Sequence, residues 1–240
     1  MKVSMDRKRF QDLCKLGAWS TFIAGGFYCM MVICAFILPR SIATYQATQE
    51  YFFDFQIYKS LFLFLKWSMF LSSIAMIGVV YSIYNLARES NKTIIGFFSL
   101  LAVIGYAFNL FQSILDLSQI PSLVEGYRTS SANVQEVITV MGVSNVSLFV
   151  LSMGLPGLWA IAVSSKAITN KEVPRFIPVL GFLWGLGNIA TVFAHVFVIL
   201  PLIYLIALGA MICTPVWAIY EGVFFMKIMK KGLSYIKLTE

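Results

Sequence analysis

Charge is scarce in this chain. Asp, Glu, Lys and Arg make up 12% of its 240 residues, about half the share of an ordinary soluble domain. Residues 176–220 contain none of them, a run of 45 in which His195 and Pro201 stand near the middle. A soluble domain has no need of such a run. A bilayer core is about 30 Å thick and takes roughly 20 helical residues, so this segment is long enough to cross twice.

Histidine is scarcer still, with His195 alone. Haem held by two imidazoles would need a second one. Zinc would need three or four His, Cys or carboxylate ligands at suitable spacing, and no H-E-x-x-H occurs. G-x-S-x-G and a glycine-rich phosphate loop are also missing, which speaks against an intramembrane serine protease and a nucleotide site. The four cysteines are Cys14, Cys29, Cys34 and Cys213. They form no C-x-x-C, and none falls in a connection expected outside the cytoplasm, so no disulfide framework is indicated. The sequence leads us to expect no metal and no cofactor.

Hydrophobic residues, by contrast, fill 59% of the chain. Four further charge-free runs cover residues 16–39, 67–87, 93–115 and 137–165. Each is long enough to span, and none alternates as a barrel strand would. With the longest run divided near Pro201, the expectation is an all-α, polytopic membrane helix bundle. It has six transmembrane helices, about 15–38, 61–87, 93–117, 138–164, 176–196 and 202–226, in a single domain over 1–240. The first is read as an uncleaved span, because it exceeds the apolar stretch of a signal peptide and no A-x-A site follows.

The cations that remain are unevenly placed. Fourteen of the 18 Lys and Arg residues lie in the N-terminal arm, the second and fourth connections and the tail; Arg40, Lys59, Lys66 and Arg128 lie on the other side. The positive-inside rule then puts both termini in the cytoplasm of a plasma (inner) membrane protein. The net charge of +7 is spread over four segments without aromatic or motif support. We therefore read it as topology and attraction to anionic lipid, with no nucleic-acid partner.

Two connections are long. Residues 40–60 carry Tyr45, Tyr51, Phe52, Phe53, Phe55 and Tyr58, which suits a short helix lying on the outer leaflet. Residues 118–136 hold Pro121, Gly126 and a Ser-rich turn. Trp19, Trp67, Trp159 and Trp217 fall toward helix ends, as an aromatic belt would, whereas mid-span Trp184 is expected between helices. Lys66 is expected to snorkel at the end of its helix. Gly181 and Gly185 form G-x-x-x-G, which serves either internal packing or the face of a homodimer or membrane protein partner.

Polar residues inside spans are the candidates for function. The third span has Asn109, Gln112 and Asp116 on one face, by spacings of three and four. The fifth has Asn188, Thr191 and His195 on one face in the same way. Both stripes lie in the outer half. We expect them to line an outward-facing polar cavity, with an Asp116–His195 pair. Ordinary hydrogen bonding between helices is the plain alternative.

The segment around Gly185, Leu186 and Gly187, then His195, Pro201, Pro215 and Glu221, ends in Lys230, Lys231 and Gly232. Together with the opening KLGAWSTFIAGGFY, it resembles a family of multi-pass bacterial membrane proteins described as a domain of unknown function, DUF4386. The likeness runs the length of the chain in layout and is most specific over 185–221. It implies the helical fold and the membrane location, and no catalytic residue. The functional expectation is a non-enzymatic binding or accessory/assembly subunit. The alternatives are a small-solute, ion or proton transporter or channel, and a membrane enzyme on lipid-linked substrates.

Overall fold

The computed structural model describes residues 7–43, 48–87, 89–141, 146–197 and 200–231. Among these residues run α1 Arg7–Ile37, α2 Arg40–Ala43, α3 Gln49–Leu86, α4 Glu89–Thr129, α5 Ala132–Met141, α6 Val146–Ala167, α7 Phe176–Val196 and α8 Leu200–Lys231. The six long helices pack in chain order, α1 on α3, α3 on α4, α4 on α6, α6 on α7 and α7 on α8, and α8 closes back on α1. Short connections make chain neighbours into spatial neighbours. The start of α1 and the end of α8 share one apolar cluster, Phe10, Cys14 and Ala18 with Phe225 and Ile228. This is the terminal end of the bundle, and the opposite end is the distal one.

Among the described residues, five helical segments are long and apolar enough to cross a membrane: Arg7–Ile37, Gln49–Leu86, Lys92–Thr129, Phe176–Ala194 and Ile212–Lys231. Their outward residues, such as Trp19, Phe36, Trp67, Phe97 and Phe193, are apolar and exposed. Lipid is the solvent that suits such a surface. The chain is a helical membrane protein.

The two long connections are not what their composition suggests. Instead of a helix lying on the leaflet, residues 49–60 are the first turns of α3. Thr48 caps it, its hydroxyl accepting a hydrogen bond from the Tyr51 N–H at 3.2 Å, and Glu50 sits in the first turn, where the helix dipole favours negative charge. No Gly or Pro occurs between Pro39 and Gly78, so nothing breaks the helix. Tyr51, Phe52 and Phe55 are covered by protein, Tyr58 is half-buried and Phe53 is exposed. Tyr51, Phe52, Phe55 and Phe62 form a distal cluster with Cys34, Leu38, Ile42, Ile120 and Val124, and Phe52 stacks on Tyr127 at 3.7 Å. Likewise α4 runs on through Pro121 and Gly126 to Thr129. Burial of Ile120 and Val124 on either side of Pro121 offsets the hydrogen bond that proline removes. Of the expected fourth span, α5 holds the described residues up to Met141 and α6 those from Val146, and α7 covers 176–196 as the charge-free run indicates.

All six long helices contribute to the central core. Trp159 and Trp217 belong to it rather than to an interfacial belt, and only Trp19 and Trp67 are exposed. With Trp184 they make a three-indole cluster, ring centroids 5.0 to 6.2 Å apart. Small residues make room for this packing. A Cβ on Gly181 would lie 3.0 Å from Trp217 Nε1. One on Gly185 would lie 2.7 Å from the Gly157 carbonyl oxygen and 2.8 Å from Ile161 Cγ1, both on α6. The G-x-x-x-G pair is thus buried inside the chain, where it lets α7 approach α6.

Candidate functional site

Asn109, Gln112 and Asp116 share one face of α4, and the fold turns that face toward α3. Lys66 Nζ and Asp116 Oδ2 lie 2.5 Å apart, their side chains 1% and 2% exposed. Gln112 Nε2 donates to Asp116 Oδ1 at 2.6 Å. Two turns nearer the terminal end, Asn109 Nδ2 donates to Ser73 Oγ at 2.7 Å. The spacing explains the pairing. Lys66 and Ser73 are seven residues apart on α3, and Asn109 and Asp116 are seven apart on the antiparallel α4. Two helical turns on each side bring both pairs level.

This polar stretch lies within a longer seam. On α3 the buried positions Phe62, Lys66, Met69, Ser73, Met76 and Val80 alternate steps of four and three. On α4 the matching steps fall at Ala102, Tyr106, Asn109, Ser113, Asp116 and Ile120, all buried except the half-buried Asn109. Such alternation is the pattern of a coiled-coil seam. Apolar residues fill both ends of it, and the polar residues occupy the middle.

Lys66 does not snorkel. Its stem is enclosed, and Nζ lies 5.4 Å from the centroid of the Phe62 ring one turn away on the same helix, close enough for a cation–π contact. A buried charge is tolerated only with a partner and further hydrogen bonds; Asp116 and Gln112 supply them. Asn109 Oδ1 and Ser113 Oγ, beside the pair, are buried with no hydrogen-bond partner among the described residues. The missed signal was the matching seven-residue spacing on α3 and α4.

The second stripe lies elsewhere in the ring. α7 packs against α6 and α8. Asn188 is buried, and a Cβ on Gly157 of α6 would lie 2.9 Å from its Cβ. Thr191 is buried and donates its hydroxyl to the Gly187 carbonyl at 2.8 Å. His195 belongs to α7, but its side chain lies outside the described residues, and the expected Asp116–His195 pair with it. The structure therefore joins Asn109 and Asp116 to α3, with Gln112 bonded to Asp116 along α4, and sets Asn188 against α6.

The family model described as "Domain of unknown function (DUF4386)" matches residues 23–226, most of the bundle from the middle of α1 to near the end of α8. Comparison with curated proteins and with solved structures gives no match.

Proposed function

The chain belongs to the DUF4386 family, and from that premise we propose a six-span protein of the plasma (inner) membrane that works without chemistry of its own, as a binding or accessory subunit. Its working face is the part of α3 and α4 that projects from the distal end. The sixth span is α6, whose 22 residues carry Lys166 near their end as the one charge. The concentration of Lys and Arg at the terminal end favours that end for the cytoplasm.

The length of α3 and α4 carries the functional reading. Lys66 lies 20 residues before Leu86, about 30 Å along the helix and so about the thickness of the hydrocarbon core. Beyond the Lys66–Asp116 pair, α3 continues over 49–65 and α4 over 117–129, roughly 25 and 20 Å further. Spanning a bilayer does not require this extra length. The projecting turns are packed around the distal aromatic cluster, with the ion pair at their base, and a rigid projection of this kind suits a recognition platform. The polar stripe of α4 is engaged with α3, and indoles fill the centre of the bundle. Both features favour binding over conduction.

A small-solute, ion or proton pathway is the second reading. It is favoured by Asn109 Oδ1 and Ser113 Oγ, polar atoms without a protein partner beside a buried ion pair.

Photocrosslinking in native membranes separates the two. A photoreactive residue replaces Gln56, Ser122 or Glu125 on the projection, or Trp19 on the lipid face. The binding reading expects the same discrete adduct from the three projecting positions and none from Trp19. No adduct from the projection, together with proton or ion flux in proteoliposomes that Asn109→Ala abolishes, would favour the pathway instead.

A further inference from the structure

Helix α5 buries none of its ten residues, although six of them are apolar. Val134, Val137, Val140 and Met141 are exposed on one side of it, and Gln135, Glu136 and Thr139 lie on the other. The helix is nonetheless held in place. Gln135 Nε2 donates to the carbonyls of Tyr127 at 2.9 Å and Ser130 at 3.3 Å, at the end of α4. Ile138 packs against the distal aromatic cluster. What these contacts leave open is an apolar side with no protein over it.

That exposure has a direction. It rises from 46% at Val134 and 56% at Val137 to 81% at both Val140 and Met141. The end of α5 with the most uncovered apolar surface is the end next to α6. Four residues separate Met141 from Val146, so their Cα atoms are at most about 18 Å apart. α6 has 22 residues, about 33 Å of helix and so about the thickness of the hydrocarbon core. With α6 taken as the sixth span, Val146 lies toward its distal end, and Met141 is tethered within about 18 Å of it.

We propose that α5 is a membrane-surface helix that seats Val137, Val140 and Met141, at its end nearer α6, among the headgroups and upper acyl chains of the distal leaflet. Gln135, Glu136 and Thr139 face water. Tyr51, Phe52 and Phe55 at the start of α3 pack inside the protein, whereas α5 leaves its apolar side open. Calling the distal leaflet the outer one rests on the topology proposed above; contact with lipid does not.

The test uses the unaltered protein in phosphatidylcholine vesicles. The vesicles contain a phospholipid with a diazirine on its acyl chain near the glycerol, present in both leaflets, so that a reversed topology would not alter the result. After irradiation, peptides are mapped by mass spectrometry. A parallel sample is exposed to hydroxyl radicals in the aqueous phase. The expected result is lipid adducts at Val137, Val140 or Met141, with Met141 oxidised several-fold less than in the unfolded chain. Oxidation of Met141 at the unfolded rate would place this side in water and overturn the proposal. Absence of both adducts and oxidation would mean that a second protein surface covers α5, and would also overturn it.

Discussion

Asp116→Asn should destabilise the protein by about 3–5 kcal/mol, the usual consequence of removing one partner from a buried ion pair. The substitution keeps the shape of the side chain and its capacity to bond Gln112. It removes the negative charge 2.5 Å from Lys66 Nζ. The ammonium then stays enclosed between α3 and α4 without the counter-charge that Asp116 supplies. The double variant Lys66→Met with Asp116→Leu should recover most of the loss, because apolar replacements of buried pairs are often neutral or stabilising. Arg128→Ala provides the contrast. Its pair with Glu125 is 60% and 61% exposed, and its removal should cost less than about 1 kcal/mol. Unfolding in a single detergent, followed by intrinsic fluorescence, measures all three. Equal losses for Asp116→Asn and Arg128→Ala would contradict the buried pair.

Gly185→Ala should also be costly, although it adds a single methyl group and improves helix propensity. The new Cβ would meet the Gly157 carbonyl oxygen at 2.7 Å, Ile161 Cγ1 at 2.8 Å and the Ile161 nitrogen at 3.1 Å. Two of these are backbone atoms, which cannot rotate away, so α6 and α7 must separate. Overpacking of this kind costs about 1–3 kcal/mol, and Gly185→Leu should cost more. Gly126→Ala, also inside a helix, should behave in the opposite way. Nothing lies within 4 Å of a Cβ there, so the gain in helix propensity of roughly 0.5–1 kcal/mol should appear as stabilisation. The sign of the difference between the two variants, read in the same unfolding assay, tests whether the G-x-x-x-G pair sits at the α6–α7 contact.

The membrane class was legible in the sequence, because charge-free runs state directly how much chain can lie in hydrocarbon. The bounds of α7 follow from its run for the same reason. The projection was not legible. Tyr51, Phe52 and Phe55 have the composition of a helix lying on a leaflet, and what covers them is Ile120, Val124 and Tyr127, nearly 70 residues away. Trp159 and Trp217 sit toward the ends of their charge-free runs, yet they pack on Trp184 in the centre. The faces of Asn109, Gln112 and Asp116 followed from helical spacing. Their partners did not, since a lysine at a span's end ordinarily snorkels. Once α3 and α4 are known to be antiparallel neighbours, the seven-residue spacing on each gives the pairing of Lys66 with Asp116 and of Ser73 with Asn109. A spacing motif in one helix likewise carries no record of which helix it meets, which is why Gly181 and Gly185 left internal packing and dimerisation open.

The central claim is that the distal turns of α3 and α4 project as a packed unit on the face opposite the cytoplasm. A membrane-impermeant maleimide tests it on single-cysteine additions in intact cells, scored as labelling above that of the parent protein. Gln56→Cys and Glu125→Cys, on the exposed side of the projection, should react without lysis. Lys171→Cys and Lys230→Cys, at the terminal end, should react only after the membrane is opened. Labelling of Lys171→Cys and Lys230→Cys in intact cells, with Gln56→Cys and Glu125→Cys protected until lysis, would contradict the claim.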